Sequence, residues 1–381
     1  MNKLLLFCFA ATLFFSCGED IVDAAAADGL NVPPKTPDAT QPLTADVVIF
    51  NDKLEGVEIV LVGNAKDLYI VSFLRMLDGT LLEFTSTDDE LPIIMNDNEG
   101  NKWDIFGFAV EGPRKGQRLE LTQSLMGYWF SFATFYPGIQ IYPNSAKGIY
   151  DGETITGTNN WLVPHNEVRS GGPGKDGIPA ISNPEFVSVA QSAFMEKSDF
   201  VVGFSDGTNI KAYPHDVLDW HEIVNDWIGP LDYSIIYCPL TGTATAWDRV
   251  IDGKISSFGV SGLLYNTNIV PYDRATGSNW SQLFDKAIFG EKKGVKPKTY
   301  MVLETTWQTW KKLYPGSKIM NFNTGYNRNY GSYPYGDYRE DSNIIFPVKY
   351  LDPRLHAKER VHAVIINGKA RVYRFEEFTG N

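Results

Sequence analysis

Apolar positions along this chain fall in short runs broken by Gly and Pro, and few keep a helical spacing over many turns. The pattern predicts short strands with few helices. Val201-Val202-Gly203-Phe204, a turn at Ser205-Asp206-Gly207, and Ile210-Lys211-Ala212-Tyr213 together predict a hairpin. Val217, Leu218, Ile223 and Val224 share one stripe, which predicts a helix over His215 to Asp226. Ser234 to Tyr237 predicts a strand ending at Cys238, and Thr243 to Trp247 another. Trp307 to Tyr314 predicts a short helix stopped by Pro315-Gly316.

Compared with itself, the chain repeats. Asp78-Gly79 with Phe84 matches Asp252-Gly253 with Phe258 at the same spacing. Asp97, Gly100 and Trp103 match Asp273, Gly277 and Trp280 with one residue inserted. Ile105-Phe106-Gly107 matches Ile288-Phe289-Gly290, and Trp129, Phe132 and Tyr136-Pro137-Gly138 match Trp307, Trp310 and Tyr314-Pro315-Gly316. So many ordered matches identify two copies of one unit, over residues 46–145 and 197–322. The second copy opens with the Val201 to Tyr213 hairpin, which the first lacks. A strand, turn and strand of the same form, Val361 to Tyr373, lies near the other end of the chain. The expected architecture is a β-rich α+β fold of two pseudo-repeated units with few helices. Residues 46–381 form a single duplicated domain in which a C-terminal hairpin within 358–378 completes the N-terminal unit.

Two segments fall outside that frame. Lys3, the apolar run from Leu4 to Phe15, and Phe14-Phe15-Ser16-Cys17 resemble a bacterial lipoprotein signal, so residues 1–17 are expected to be a signal peptide with a lipidated Cys17. Residues 18–45 are rich in Ala, Asp, Pro and Thr. So few large apolar side chains cannot offset ordering entropy, and a flexible tether is expected. The expected partner is the membrane, reached through the lipid on Cys17. The expected location is the cell envelope, as an outer-membrane lipoprotein facing the periplasm or the cell surface. No later apolar run approaches the roughly 20 residues of a spanning helix. Loss of Lys3 with the signal would take the formal net charge from −12 to −13. No basic stripe exists to neutralise phosphates, so nucleic acid is not an expected partner.

Of the three cysteines, Cys8 lies in the signal and Cys17 takes the lipid, which leaves Cys238 as the single free thiol of the mature chain. It closely follows Trp220-His221-Glu222-Ile223-Val224-Asn225-Asp226. A thiol, a histidine and two carboxylates thus share one short stretch. The first copy has Asn64 opposite Cys238 and nothing like His221-Glu222, so this chemistry is confined to one half. A protonated His221 beside Cys238 would lower the thiol pKa and favour thiolate. Glu222 or Asp226 would orient the imidazole, as carboxylates do for catalytic histidines. The Thr241 hydroxyl would hydrogen-bond the thiolate. Those five are the candidate catalytic residues of a thiol-dependent oxidoreductase. One thiol closes no internal disulfide, so turnover would need an external thiol or electron donor.

Other readings stay open. Buried free cysteine often acts as a small hydrophobe, and the protein is then a non-enzymatic ligand-binding module of the envelope. Its candidate binding residues are Tyr213, Trp220, Ser261, Asp273, Arg274, Ser278 and Trp280. A metal site of His215, His221 and Cys238 is a third option, at a spacing that fits no common template. The zinc pattern His-Glu-x-x-His fails, because Asn225 stands where its second histidine belongs. Gly259-Val260-Ser261-Gly262 brings the second glycine of a nucleophile elbow one residue early and reads more simply as a turn. Tyr330 to Tyr338 reads as an aromatic loop over a site or as a plain surface loop. No cofactor is identified.

Ala212-Tyr213-Pro214, the Trp220 to Asp226 block, Tyr237-Cys238-Pro239-Leu240, Phe258-Gly259-Val260-Ser261-Gly262, Tyr272-Asp273-Arg274-Ala275-Thr276-Gly277-Ser278 and the Trp307/Trp310 helix resemble the domain-of-unknown-function family 3179. The resemblance covers most of the chain from about residue 46, with its most specific motifs between 175 and 320. It implies no assigned activity. Many members resemble Cys-Pro-Leu-Cys, some with selenocysteine at the second position, and that substitution implies redox chemistry. Here Thr241 stands at that position, so Cys238 acts alone or not at all.

Overall fold

The computed structural model describes residues 47–380, so the signal peptide with Cys17 and the tether lie outside the described residues. The first copy opens as an antiparallel meander, β1 (Val48–Leu54), β2 (Val57–Asn64) and β3 (Tyr69–Leu74). Ile59, Val60, Leu61 and Val62 of β2 are all buried, and such a run needs cover on both faces. Strands β4 (Ile93–Asp97) and β5 (Lys102–Asp104) follow, then β6 (Gln123–Tyr128), helix α1 (Trp129–Phe135) and the short β7 (Gln140–Ile141).

The second copy begins with the predicted hairpin, β8 (Phe200–Ser205) and β9 (Ile210–Pro214). Helix α2 (His215–His221) leads into a second meander, β10 (Ile223–Ile228), β11 (Leu231–Cys238) and β12 (Thr243–Asp248). Then come β13 (Phe258–Tyr265), β14 (Asn268–Asp273), β15 (Asn279–Ser281), β16 (Leu303–Thr306), helix α3 (Trp307–Leu313) and β17 (Lys318–Met320). The C-terminal hairpin is β18 (Arg360–Ile366) and β19 (Lys369–Arg374).

The copies repeat in hydrogen bonds as they do in sequence. One sheet runs β6-β18-β19-β7, and the other contains β16-β8-β9-β17 with the same strand senses. The C-terminal hairpin therefore holds, in the first copy, the place that β8 and β9 hold in the second. Side chains repeat too. The Trp103 indole donates to Asp97 Oδ2 and the Trp280 indole to Asp273 Oδ2, each at 2.9 Å. Arg75 Nε donates to the Leu82 carbonyl at 2.9 Å, and Arg249 Nε to that of Ser256 at 2.7 Å. Asp78-Gly79 and Asp252-Gly253 both turn small hairpins with positive φ at each residue, the conformation that favours an Asp-Gly pair in a two-residue turn.

The helix predicted over His215 to Asp226 is half as long. It stops at His221, Glu222 turns the chain with φ of 58°, and Ile223–Ile228 is a strand. β-Branched Ile223 and Val224 fit a buried pleated surface better than a helix. Val224 joins Val217 and Leu218 in one core, while Ile223 on the other face of the strand enters the cluster that holds Cys238.

Candidate functional site

Cys238 is the last residue of β11, paired with Thr243 across a turn in which the Gly242 amide donates back to the Cys238 carbonyl at 2.8 Å. Gly242 takes φ of 62° there and faces the Tyr128 ring. The thiol is buried among Ile223, Ile236, Leu240, Trp247 and Phe258, and Sγ lies 3.7 Å from the Thr267 carbonyl oxygen. Burial pushes the thiol up to about 11, and the negative charge of Glu222 adds to the rise. Hydrogen bonds from the Thr241 hydroxyl and from the amides of Ile269 and Thr241 pull the other way, and they lose. Cys238 is a neutral thiol at pH 7.

His221 stands in a different arrangement from the one expected. Its Nδ1 lies 2.7 Å from the Pro179 carbonyl and its Nε2 2.6 Å from the Tyr330 hydroxyl. A carbonyl only accepts, so Nδ1 carries the proton and Nε2 receives the Tyr330 O–H. Burial is the main cause that lowers the imidazole pKa, so His221 is neutral rather than a cation beside the thiol. Neither carboxylate orients it. Burial alone pushes Glu222 up to about 8, which leaves it mostly protonated at pH 7. Asp226 faces the other sheet, where its Oδ2 takes Lys211 Nζ at 2.7 Å and the Tyr213 hydroxyl at 2.6 Å. The break in the helix explains the miss: the chain turns at Glu222 and runs on as a strand, which carries Asp226 away from His221.

Among the described residues no group of three His, Cys, Asp or Glu side chains is placed to hold a metal. The trio His215, His221 and Cys238 does not come together as one. His215 instead sits 3.1 Å from Glu304 Oε2, and burial lowers its pKa to about 4.

The aromatic stretch lies over this region. The Tyr333 hydroxyl donates to the Pro239 carbonyl at 3.0 Å and the Tyr338 hydroxyl to that of Leu240 at 2.9 Å. Trp220 Nε1 donates to the Ser332 carbonyl at 3.1 Å, and Arg339 grips both oxygens of Asp219 at 2.7 Å. The Cys-Pro-Leu segment is thus strapped down by residues almost a hundred positions away. Burial pushes Asp219 up to about 7 against the pull of Arg339.

The remaining sequence-predicted binding residues are spent on local structure. Tyr213 is buried in the Asp226 cluster, and Trp280 is held on Asp273. Arg274 pairs with Asp176 at 2.6 Å, and Ser278 bonds Thr276 at 2.7 Å. Ser261 sits in a bulge between β13 and β14, its hydroxyl on the Val270 carbonyl. Trp280 belongs to the same buried cluster as Cys238.

What sequence reasoning missed is a cavity of about 220 Å³ between the copies. Its walls are residues 70–72 of β3 and 121–126 leading through β6 on one side, and 244–245 of β12 and 299–304 leading into β16 on the other. As the third strand of each meander and the strand directly before each Trp helix, β3 is equivalent to β12 and β6 to β16. β6 packs on β12 while β16 packs on β3, the reciprocal contact that a twofold relation produces. The cavity therefore lies on the pseudo-twofold axis. Its chemistry breaks the symmetry. Met126 pairs with His362 in one copy, and the equivalent pair in the other is Glu304 with Val202. An aligned comparison of the repeats contains that difference, and only the fold shows that it faces a cavity.

A family model described as "Protein of unknown function (DUF3179)" matches residues 175–381, more than half of the chain. Nothing matches among curated proteins or among solved structures.

Proposed function

The chain belongs to the DUF3179 family, and from that premise we propose that it is a non-enzymatic ligand-binding module of the cell envelope, held at the membrane by a lipid on Cys17. The observation that carries the reading is the cavity on the pseudo-twofold axis, at about 220 Å³. Ligand sites favour interfaces between packed units, with mainly apolar walls and a few placed polar groups. Leu121, Leu125, Ala244 and Val302 supply the apolar wall here, and Ser72, Gln282, Glu304 and His362 the polar groups. The lipoprotein part rests on the Phe14-Phe15-Ser16-Cys17 run. The test is to isolate the protein natively from membranes and extract it with organic solvent. A small molecule recovered at near-equimolar amount, and lost in a cavity-filling Ala244→Leu variant, supports the reading. A protein that carries none, and whose Tm no fraction of an envelope extract raises, overturns it.

A second reading is favoured by one feature, the buried Glu222 carboxyl whose charge reaches Cys238. A thiol-dependent oxidoreductase would use ionised Glu222 as the proton acceptor for Cys238 once the strap opened, with an external thiol as partner. It ranks second because the neutral His221 and the raised thiol both oppose thiolate in the closed state.

A further inference from the structure

We infer that a groove at the end of α1 binds a small amphipathic carboxylate, its apolar body on the groove floor and its charge among Lys286, Lys296 and Lys369. This is a second site beside the cavity on the pseudo-twofold axis, and it does not depend on what that cavity holds. Gln123 stands on both linings, so the two adjoin, but no lysine lines the cavity. The groove encloses about 440 Å³, within the roughly 300–1,000 Å³ common for small-ligand sites. Phe135, Ile155, Phe284, Ile288 and Ile365 form its floor, and all five belong to one hydrophobic cluster in which Ile155 and Phe284 are only partly covered. The Phe135 and Phe284 rings lie 4.8 Å apart. A ring or short chain laid on that floor would complete their burial.

The sign of the charge comes from the walls. Lys286 opens the strand Lys286–Phe289, Lys296 precedes Thr299, and Lys369 follows the Gly368 turn of the C-terminal hairpin, so three separated segments bring their lysines to one groove. Among the described residues none of the three side chains makes a hydrogen bond or an ion pair. Lys369 acts on Asp151 and Lys296 on Asp285 only through their charge, and those carboxylates have other partners, Lys147 at 2.9 Å and the Trp247 indole at 2.8 Å. The one acid on the lining, Glu153, accepts from the Tyr350 hydroxyl at 3.1 Å. Three cations against one carboxylate make this groove positive in a chain of net charge −12. The repeat supplies a control. The equivalent groove of the second copy lies at the end of α3, where Tyr314-Pro315 replaces Tyr136-Pro137 and Thr208-Asn209 replaces the Gly368 turn. Its Lys211 is spent on Asp226 and on the Trp227 carbonyl, each at 2.7 Å, which leaves Lys318. The fold duplicates the groove and not its charge, so the scaffold does not require the three lysines. Like charges gathered on a low-dielectric floor repel one another, and a bound carboxylate relieves them.

The probes are naphthoate, naphthylmethanol and naphthylmethylamine, of matched shape, titrated calorimetrically into the full chain at low salt. Naphthoate is expected to bind about fivefold more tightly than the alcohol, the worth of a few exposed ion pairs. At about 1 M salt, where the Debye length falls to about 3 Å, that preference should vanish. Lys286→Gln combined with Lys369→Gln should bring naphthoate down to the alcohol level and leave the alcohol unchanged, whereas Lys318→Gln in the other groove should change neither. In the unmodified protein the backbone amide resonances of Gly368 and Lys369 should shift on naphthoate, and that of Gly316 should not. Equal binding of acid and alcohol, preference for the amine, a preference that survives the double variant, or shifts centred on Gly316 overturns the inference. So does binding to phosphatidylglycerol vesicles through the same lysines without binding of naphthoate, which would make the groove a reader of lipid surfaces. If none of the three probes binds, the inference falls and the cavity on the axis is untouched.

Discussion

The Tyr213 hydroxyl donates to Asp226 Oδ2 at 2.6 Å, tying the hairpin of the second copy to the first strand of its meander. The first copy repeats the bond between Tyr373 and Asp52, also at 2.6 Å, with Arg371 in the place of Lys211. A bond made equally by the copy that lacks a thiol belongs to the scaffold. Asp226 is buried to 1% and Lys211 is mostly covered, so removing the charge strands its partner. Asp226→Asn should cost about 3 kcal/mol, and Asp52→Asn somewhat less because its pair is more exposed. Urea unfolding of both variants checks this; an unchanged midpoint for Asp226→Asn would remove the scaffold role.

The environment of Cys238 predicts an inert thiol. With the thiol pushed up to about 11 inside an apolar cluster, alkylation at pH 7–8 should be far slower than for an exposed cysteine and should follow the opening of the fold. Cys238→Ala should fold and cost about 1–2 kcal/mol through lost packing. A native alkylation rate that saturates near pH 7 would show a thiolate that this closed geometry does not hold.

Glu222 predicts a stability that depends on alkali. Burial pushes its folded pKa up to about 8 from an ordinary 4.5. A group raised on folding contributes fully below its unfolded pKa, and that contribution is lost as pH climbs through the folded value. The window is therefore about pH 4.5 to 8. Glu222→Gln, compared with the parent protein across that range, should be near neutral at pH 4 and stabilising by a few kcal/mol at pH 9. Glu222→Gly adds relief of the positive φ and should stabilise at every pH. A pH-independent difference for Glu222→Gln would mean that the carboxyl is solvated.

How far the sequence alone reached follows from which signals are local. The duplication was readable because Trp129/Trp307 and Asp97/Asp273 repeat in order, and the C-terminal hairpin betrayed its place by sharing the strand-turn-Tyr form of Val201 to Tyr213. The short element after Pro214 was misread in length, because Ile223 and Val224 satisfy both a helical stripe and a strand. Proximity in sequence then misled about the site. His221 turned to Pro179 and Tyr330, partners 42 and 109 residues away, and no periodicity reports such contacts. The cavity was hidden for the same reason, since its walls come from six separated segments.

Arg339 predicts that the strap can be released without unfolding the core. Its two 2.7 Å bonds to Asp219 anchor the segment whose tyrosines bind the Pro239 and Leu240 carbonyls. The guanidinium is partly exposed although Asp219 is buried, and its loss should fall on local rather than global stability. Arg339→Gln weakens a charge-assisted pair worth about 1.5 kcal/mol, which is roughly a tenfold gain in the open population. Hydrogen exchange at residues 330–340 should speed up by about that factor while the Tm moves little, and Cys238 alkylation should accelerate in parallel. If exchange and alkylation rise together with a large fall in Tm, the strap belongs to the cooperative core. If exchange rises and alkylation does not, the strap is not what shields the thiol.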